Sequence, residues 1–174
     1  MKVTPQLIKV FFIFPFNVMV VIPGLTLWVS SQSDFLTPFN YGFDLVRGIP
    51  GGLLITVGIV IAYSCVSLFT DHGDGTPSPW DPPKNLVIRG IYRHVRNPMM
   101  EGVFCVLLGE SLLSGSLLIF LWFAFFVAAN LLYIPLIEEP KLLSRFGDPY
   151  HLYMQNVSRW LPRKHPWKGS YEKN

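Results

Sequence analysis

The stretch MMEGVFCVLLGESLLSGSLLIFLWFAFFVAANLLYIPLIEEP, Met99–Pro140, holds two apolar runs joined by three small residues. The runs extend from about Met99 to Leu113 and from Leu117 to Ile137, and Ser114, Gly115 and Ser116 between them leave room only for an immediate reversal. The pattern predicts a helical hairpin. Roughly 20 apolar residues are needed to cross a bilayer. The second arm meets that length; the first is short for a full crossing and either tilts or stops below the far surface.

The rest of the chain shares this character. Of 174 residues, 51% are hydrophobic and 14% charged, and the mean hydropathy is +0.39, values that argue against a soluble domain with a wetted surface. Gly51 to Phe69 is an uncharged run long enough to span, and Leu7 to Val29 is another, interrupted by Pro15 and Pro23. Prolines are tolerated in spanning helices where neighbours satisfy the freed carbonyls. A signal peptide is the competing reading of the first run, with Lys2 and Lys9 ahead of it, but the run exceeds an h-region and no A-x-A site follows, so a retained helix is expected. Cys65 and Cys105 fall inside apolar segments without CxxC spacing and read as small reduced hydrophobes. The expected fold is an all-α membrane protein in one domain, residues 1–174. It has about four transmembrane helices: two scaffold helices within 1–70, then a C-terminal helical hairpin followed by a cytosolic amphipathic helix from Lys141 onward.

Basic residues set the expected orientation. Lys84, Arg89, Arg93 and Arg96 precede the third helix, and Lys141, Arg145, Arg159, Arg163, Lys164, Lys168 and Lys173 follow the fourth, whereas the first loop has only Arg47 and the hairpin tip none. By the positive-inside rule both termini lie in the cytosol, and the chemically able residues collect on that face. The net charge of +3 fits anionic headgroups. The basic residues are not interleaved with aromatics as a nucleic-acid stripe would be, so membrane lipids are expected as partners and nucleic acid is not.

Three polar regions stand out. GDGTPSPWDPPKNLVIRGIYRHVRNP is rich in Pro and Gly and reads as an irregular segment lying over the helix ends. Glu138 and Glu139 follow the fourth helix. FGDPYHLYMQNVSRWLPR places Tyr150, Tyr153 and Arg159 near the amphipathic helix. A hairpin sets its two open ends side by side, so Arg96 and Asn97 are expected to face Glu138 and Glu139 in a pocket holding both signs of charge. Such a pocket suits a zwitterionic ligand. Glu110 lies inside an apolar helix, where an ionised carboxylate costs several kcal/mol. It must pair, face a cavity or be neutral, and it either lines an acceptor route or serves helix packing. Asp71, His72 and Asp74 in TDHGDGT lack a fourth ligand and read as a solvated turn, so no metal is expected. H-E-x-x-H, G-x-S-x-G and P-loop motifs are absent from the sequence.

The segment from GTPSPWDPPKNLVIRGIYRHVRNPMMEG through the hairpin to EEPKLLSRFGDPYHLY and VSRWLP, Gly75 to Arg163, resembles the integral-membrane methyltransferases that include isoprenylcysteine carboxyl methyltransferase and the phospholipid N-methyltransferases. The resemblance implies S-adenosylmethionine as cofactor, bound between the hairpin and the C-terminal helix, with a lipophilic or prenylated acceptor arriving from the bilayer. It places cofactor contacts at Tyr92, Arg96, Asn97, Pro98, Gly102, Glu138, Glu139, Tyr150 and Tyr153. Asn97 stands where the family has histidine, and His94 does not inherit that role. Met100 and Glu101 depart from the family's aromatic and apolar pair, and YIPLIEE lacks the arginine often found before the acids.

Methyl transfer from a sulfonium is an in-line displacement that needs alignment above all. A carboxylate acceptor arrives nucleophilic and needs only a cation such as Arg159 to orient it. An amine, thiol or phenol needs a base, for which Glu101 and Glu139 are the candidates. The expected catalytic pair is therefore Arg159 and Glu139, with Glu101 and Glu110 toward the acceptor. Isoprenylcysteine-type carboxyl O-methylation ranks ahead of lipid-amine or small-thiol methylation. A non-catalytic membrane scaffold is the remaining alternative.

Overall fold

The structure is a computed structural model that describes residues 15–31, 45–72 and 84–169. Residues 7–14 of the first apolar run, and the GDGTPSPWDPP stretch with Asp74, lie outside the described residues. The described residues form six α-helices: α1 Ile22–Ser30, α2 Leu45–His72, α3 Pro98–Ser114, α4 Leu117–Tyr133, α5 Glu139–Phe146 and α6 Asp148–Asn156. Among the described residues there is no β-strand.

The hairpin turn forms as its residues dictate. Gly115 takes a left-handed conformation, φ 61°, that ends α3. Ser116 is extended, and its hydroxyl accepts the Ile119 amide to cap α4 at 3.4 Å. Ser114 Oγ donates back to the Glu110 carbonyl at 2.7 Å.

Among the described residues, two stretches have the length and apolarity of a membrane span, Leu45–His72 and Leu117–Phe146, with mean hydropathies of 2.2 and 2.4. The second exceeds the expected arm. Pro135 has no N–H to give the preceding turn, and the backbone answers with a π-helical turn over Ile134–Glu138, closed by the Glu139 amide on the Ile134 carbonyl. The rod thus continues through α4 into α5. A second π-helical turn, Asn17–Val21, leads into α1 beside Pro15 and Pro23, and the Trp122 indole of α4 donates to the Val18 carbonyl at 3.2 Å. At 17 residues, α3 is about 25 Å long, short of a hydrocarbon core of about 30 Å.

Helix α3 packs most closely against α2 and less against its hairpin partner. The contact is a paired set of glycines: Gly51 opposite Gly109, and Gly58 opposite Gly102. A Cβ on Gly58 would lie 2.5 Å from the Gly102 carbonyl oxygen, and one on Gly109 2.6 Å from that of Gly51. In lipid, where apolar side chains gain little by leaving the solvent, such close backbone approach is what holds helices together. On its other side α3 joins a core of Val18, Val103, Leu107 and Phe126, flanked by Met100 and Trp122. Large side chains on the outer faces stay exposed, Val46 at 79% and Phe125 at 62%, as a lipid-facing surface requires.

The region after α4 corrects the expectation of one amphipathic helix from Lys141. It is two short helices bent apart at Gly147, φ 60°. They pack through Tyr150, Tyr153 and Val157 against Leu86, Ile88 and Trp167.

Candidate functional site

At the end of the hairpin away from Gly115, residues 93–97 lie along residues 158–167. The Arg96 amide donates to the Ser158 carbonyl at 3.0 Å, the Arg163 amide to that of His94 at 3.0 Å, and the Trp167 amide to that of Arg93 at 2.9 Å. Side chains reinforce this pairing. Arg93 Nε donates to the Trp167 carbonyl at 3.0 Å, and His94 Nδ1 lies 2.8 Å from the Arg163 carbonyl, which makes Nδ1 the protonated nitrogen. Asn97 begins α3, with Pro98 at the first helical position, and its amide nitrogen donates to the Arg159 carbonyl at 3.3 Å.

This backbone lattice brings two arginines to one carboxylate. Glu139 is 4% exposed. Arg159 grips it with both arms, Nε to Oε1 at 2.8 Å and Nη2 to Oε2 at 2.6 Å, a fork geometry that suits carboxylates. Arg96 Nη1 approaches Oε1 at 3.0 Å. That approach is an ion contact without hydrogen-bond alignment, so Arg96 Nη1 and Nε, both buried, have no acceptor. The Tyr150 phenol lies close enough to feel the guanidinium's charge.

Tyrosines form the wall behind this cluster. Tyr150 and Tyr153 meet edge-on at 6.1 Å, and Trp167 lies 5.9 Å beyond Tyr153. Burial pushes the Tyr150 phenol up to about 12, Glu139 adding to the rise and Arg96 opposing it. Burial raises Tyr153 as well, with Tyr150 next in effect, and its hydroxyl donates to the Tyr92 carbonyl at 2.6 Å. Arg159 is raised by its hydrogen bond to Glu139.

The expected residues divide accordingly. Arg96, Glu139, Tyr150 and Arg159 meet in one cluster, Asn97 and Tyr153 brace it, and Pro98 is buried at its edge. Glu138 is half-buried beside Glu139. The other expected residues are placed as follows. Gly102 faces Gly58 and Ile61 of α2 across a close contact. Tyr92 is buried, its ring edge-on to Phe69 at 5.3 Å. Glu139 has both carboxylate oxygens engaged by Arg159. Glu110 sits nine residues along α3 from Glu101, about 13 Å away along the axis, toward the Gly115 end. Glu101 and Glu110 each have one buried carboxylate oxygen without a partner.

Trp167 escaped the sequence reading: it acts through non-local contacts, and no local pattern marks it.

These elements define a helical membrane protein with a charged, tyrosine-backed cluster at one end of a helix hairpin. The profile of the phospholipid methyltransferase family matches residues 46–149, and the chain belongs to that integral-membrane methyltransferase family. Over 77 residues it is 35% identical to a protein-S-isoprenylcysteine O-methyltransferase of Schizosaccharomyces pombe, an alignment covering 44% of this chain and 33% of that protein. The chain thus matches about a third of the length of this curated relative. No solved structure gives a match.

Proposed function

We propose that the protein transfers a methyl group from S-adenosylmethionine to a lipophilic acceptor at the membrane–cytosol interface, most favourably an isoprenylcysteine-type carboxylate. In this reading the chain crosses the membrane four times with both termini in the cytosol, and the Arg96–Glu139 cluster lies at the cytosolic mouth of the hairpin.

The observation that carries the proposal is the Arg96 guanidinium: its buried Nε has no acceptor, and its Nη1 meets Glu139 Oε1 at 3.0 Å without hydrogen-bond alignment, next to the half-buried Glu138. A buried donor without a partner costs free energy. The amino-acid end of the cofactor supplies what is missing, a carboxylate for Arg96 and an ammonium for Glu138, and the residues present fit it. The bound sulfonium supplies an activated methyl group. The chain's own task is alignment. Glu139 fixes both arginines, Tyr150 stands close behind Arg96, and the Arg159 N–H groups not spent on Glu139 orient an acceptor carboxylate. An amine acceptor is favoured by one separate feature, the unpartnered Glu101 oxygen in the first turn of α3, which would take the acceptor's proton.

Calorimetric titration of S-adenosylmethionine and S-adenosylhomocysteine into the detergent-purified chain tests the reading, beside Glu138→Gln. The expected result is saturable binding weakened about tenfold in the variant, as loss of a charge-assisted contact requires. Absence of binding in folded wild type, repeated in nanodiscs, overturns the reading and leaves a scaffold role. Labelled donor offered with prenylcysteine or with a lipid amine then decides the acceptor, and Glu101→Gln should impair only amine methylation.

A further inference from the structure

Arg159 and Trp160 are neighbours in the chain whose side chains part company in space. Arg159 turns its guanidinium to Glu139, whereas the Trp160 ring lies on Phe104 of α3, with centroids 5.6 Å apart and planes inclined at 34°. Phe104 in turn meets Phe126 of α4 edge-on at 6.0 Å. A column of three aromatic rings thus runs from beside the charged cluster into the cleft between the two arms of the hairpin.

The backbone fixes this divergence. The Arg96 amide holds the Ser158 carbonyl at 3.0 Å, and the Asn97 side chain holds that of Arg159 at 3.3 Å, so the two peptide groups just ahead of the indole are pinned to the start of α3. Phe104 lies six residues beyond Pro98, about 9 Å along the helix axis, and the indole that covers it reaches from the polar end toward the apolar depth. A tryptophan that only anchored the protein at the interface would turn its ring to the headgroups. Trp160 is half-buried and sets its ring against Phe104 instead.

Its neighbour is the more approachable of the two cations on Glu139. The Arg159 side chain is 32% exposed, against 8% for Arg96, and its fork on Glu139 engages Nε and Nη2. An acceptor carboxylate that rises from the bilayer to Arg159 therefore brings the next few atoms of its chain alongside Trp160. An aromatic ring at that place favours polarisable apolar groups, and a thioether sulfur gains specific contact with a ring that water does not give it.

We propose that Trp160 is a specificity-determining residue for the acceptor, selecting a thioether and its attached unsaturated chain a few bonds from the carboxylate. The inference rests on the methyl-transfer reading above and adds to it the side chain that tells one lipophilic acid from another.

The test is steady-state methylation by the full chain in nanodiscs, with labelled S-adenosylmethionine and N-acetyl-S-farnesylcysteine as the probe, beside calorimetric titration of the cofactor. Trp160→Ala should raise KM for the probe about tenfold, the scale of one good apolar contact in a specificity pocket, with kcat and cofactor affinity unchanged. Trp160→Phe keeps a ring over Phe104 and should stay within about threefold of wild type. An unchanged KM in Trp160→Ala, a Phe variant as poor as the Ala variant, or cofactor affinity that falls along with KM overturns the proposal, the last because it makes Trp160 a structural prop. Wild type that binds the cofactor yet leaves the probe unmethylated overturns it too. Each of those outcomes leaves cofactor binding by the wild type intact, whereas wild type that binds no S-adenosylmethionine removes the methyl-transfer reading and this inference with it.

Discussion

The contact between α2 and α3 and the pairing of residues 93–97 with 158–167 fix the two ends of the same helix by opposite means. The first works by omission. Gly51, Gly58, Gly102 and Gly109 let two backbones touch, and the side chains they meet are apolar, Ile55, Ile61, Val106 and Leu113. The second works by addition: amides, an asparagine, a histidine and two arginines converge, and each polar group finds or seeks a partner. Within lipid, shape alone discriminates, since neighbours and solvent are equally apolar. At the water boundary, charge and hydrogen bonding discriminate, and the cluster is held by its own ion pairs and backbone bonds.

The largest test of this contrast falls on the polar end. Glu139→Gln strands the Arg96 side chain, 8% exposed, and should lower stability in a detergent melt by about 3–5 kcal/mol, the cost of breaking a buried pair from one side. A loss below about 1 kcal/mol would mean that the arginines are solvated and the cluster is no tighter than a surface ion pair.

The glycine contact comes next. Gly58→Val must push α2 from α3, and overpacking of this kind costs about 1–3 kcal/mol. Gly52, one residue beyond the seam with nothing within 4 Å, provides the control: Gly52→Ala should be neutral or gain about 0.5–1 kcal/mol. Equal effects at the two positions would show that helix propensity, and not close approach, is being measured.

The smallest change is expected from Tyr153→Phe, which deletes one buried hydroxyl and its bond to the Tyr92 carbonyl, at about 1–2 kcal/mol. Because Tyr153 braces the cluster from behind, cofactor affinity should move less than stability; a larger loss of affinity than of stability would put the phenol in the binding site itself.

The two ends also differ in how far they can be read from the chain. The hairpin turn was legible, since Ser114–Ser116 can do little else, and so was the meeting of Arg96 with Glu139, which follows from antiparallel arms. The grip of Arg159 on Glu139 was not, because it depends on a backbone lattice between segments some sixty residues apart in sequence. The glycine seam was invisible for another reason. A residue without a side chain announces nothing about its neighbour, and a seven-residue spacing gains meaning only when a second helix carries the same spacing in reverse. The continuation past Ile137 was not legible either, because a π-helical turn at Pro135 carries the rod on into α5.

That wider turn has a consequence for how the protein can be altered. A π-helical turn holds one residue more than an α turn, so everything beyond it is rotated by about 100° relative to an uninterrupted α-helix. The direction in which Glu139 faces is therefore set by the length of the chain between Tyr133 and Glu139 as much as by any side chain. Straightening that turn into α geometry at unchanged length would leave every functional group in the polypeptide and swing the carboxylate away from the arginines. In this family member the adjustable quantity is a count: a deletion that removes the extra residue together with the π turn keeps Glu139 on its face, and a residue added elsewhere between Tyr133 and Glu139 does not.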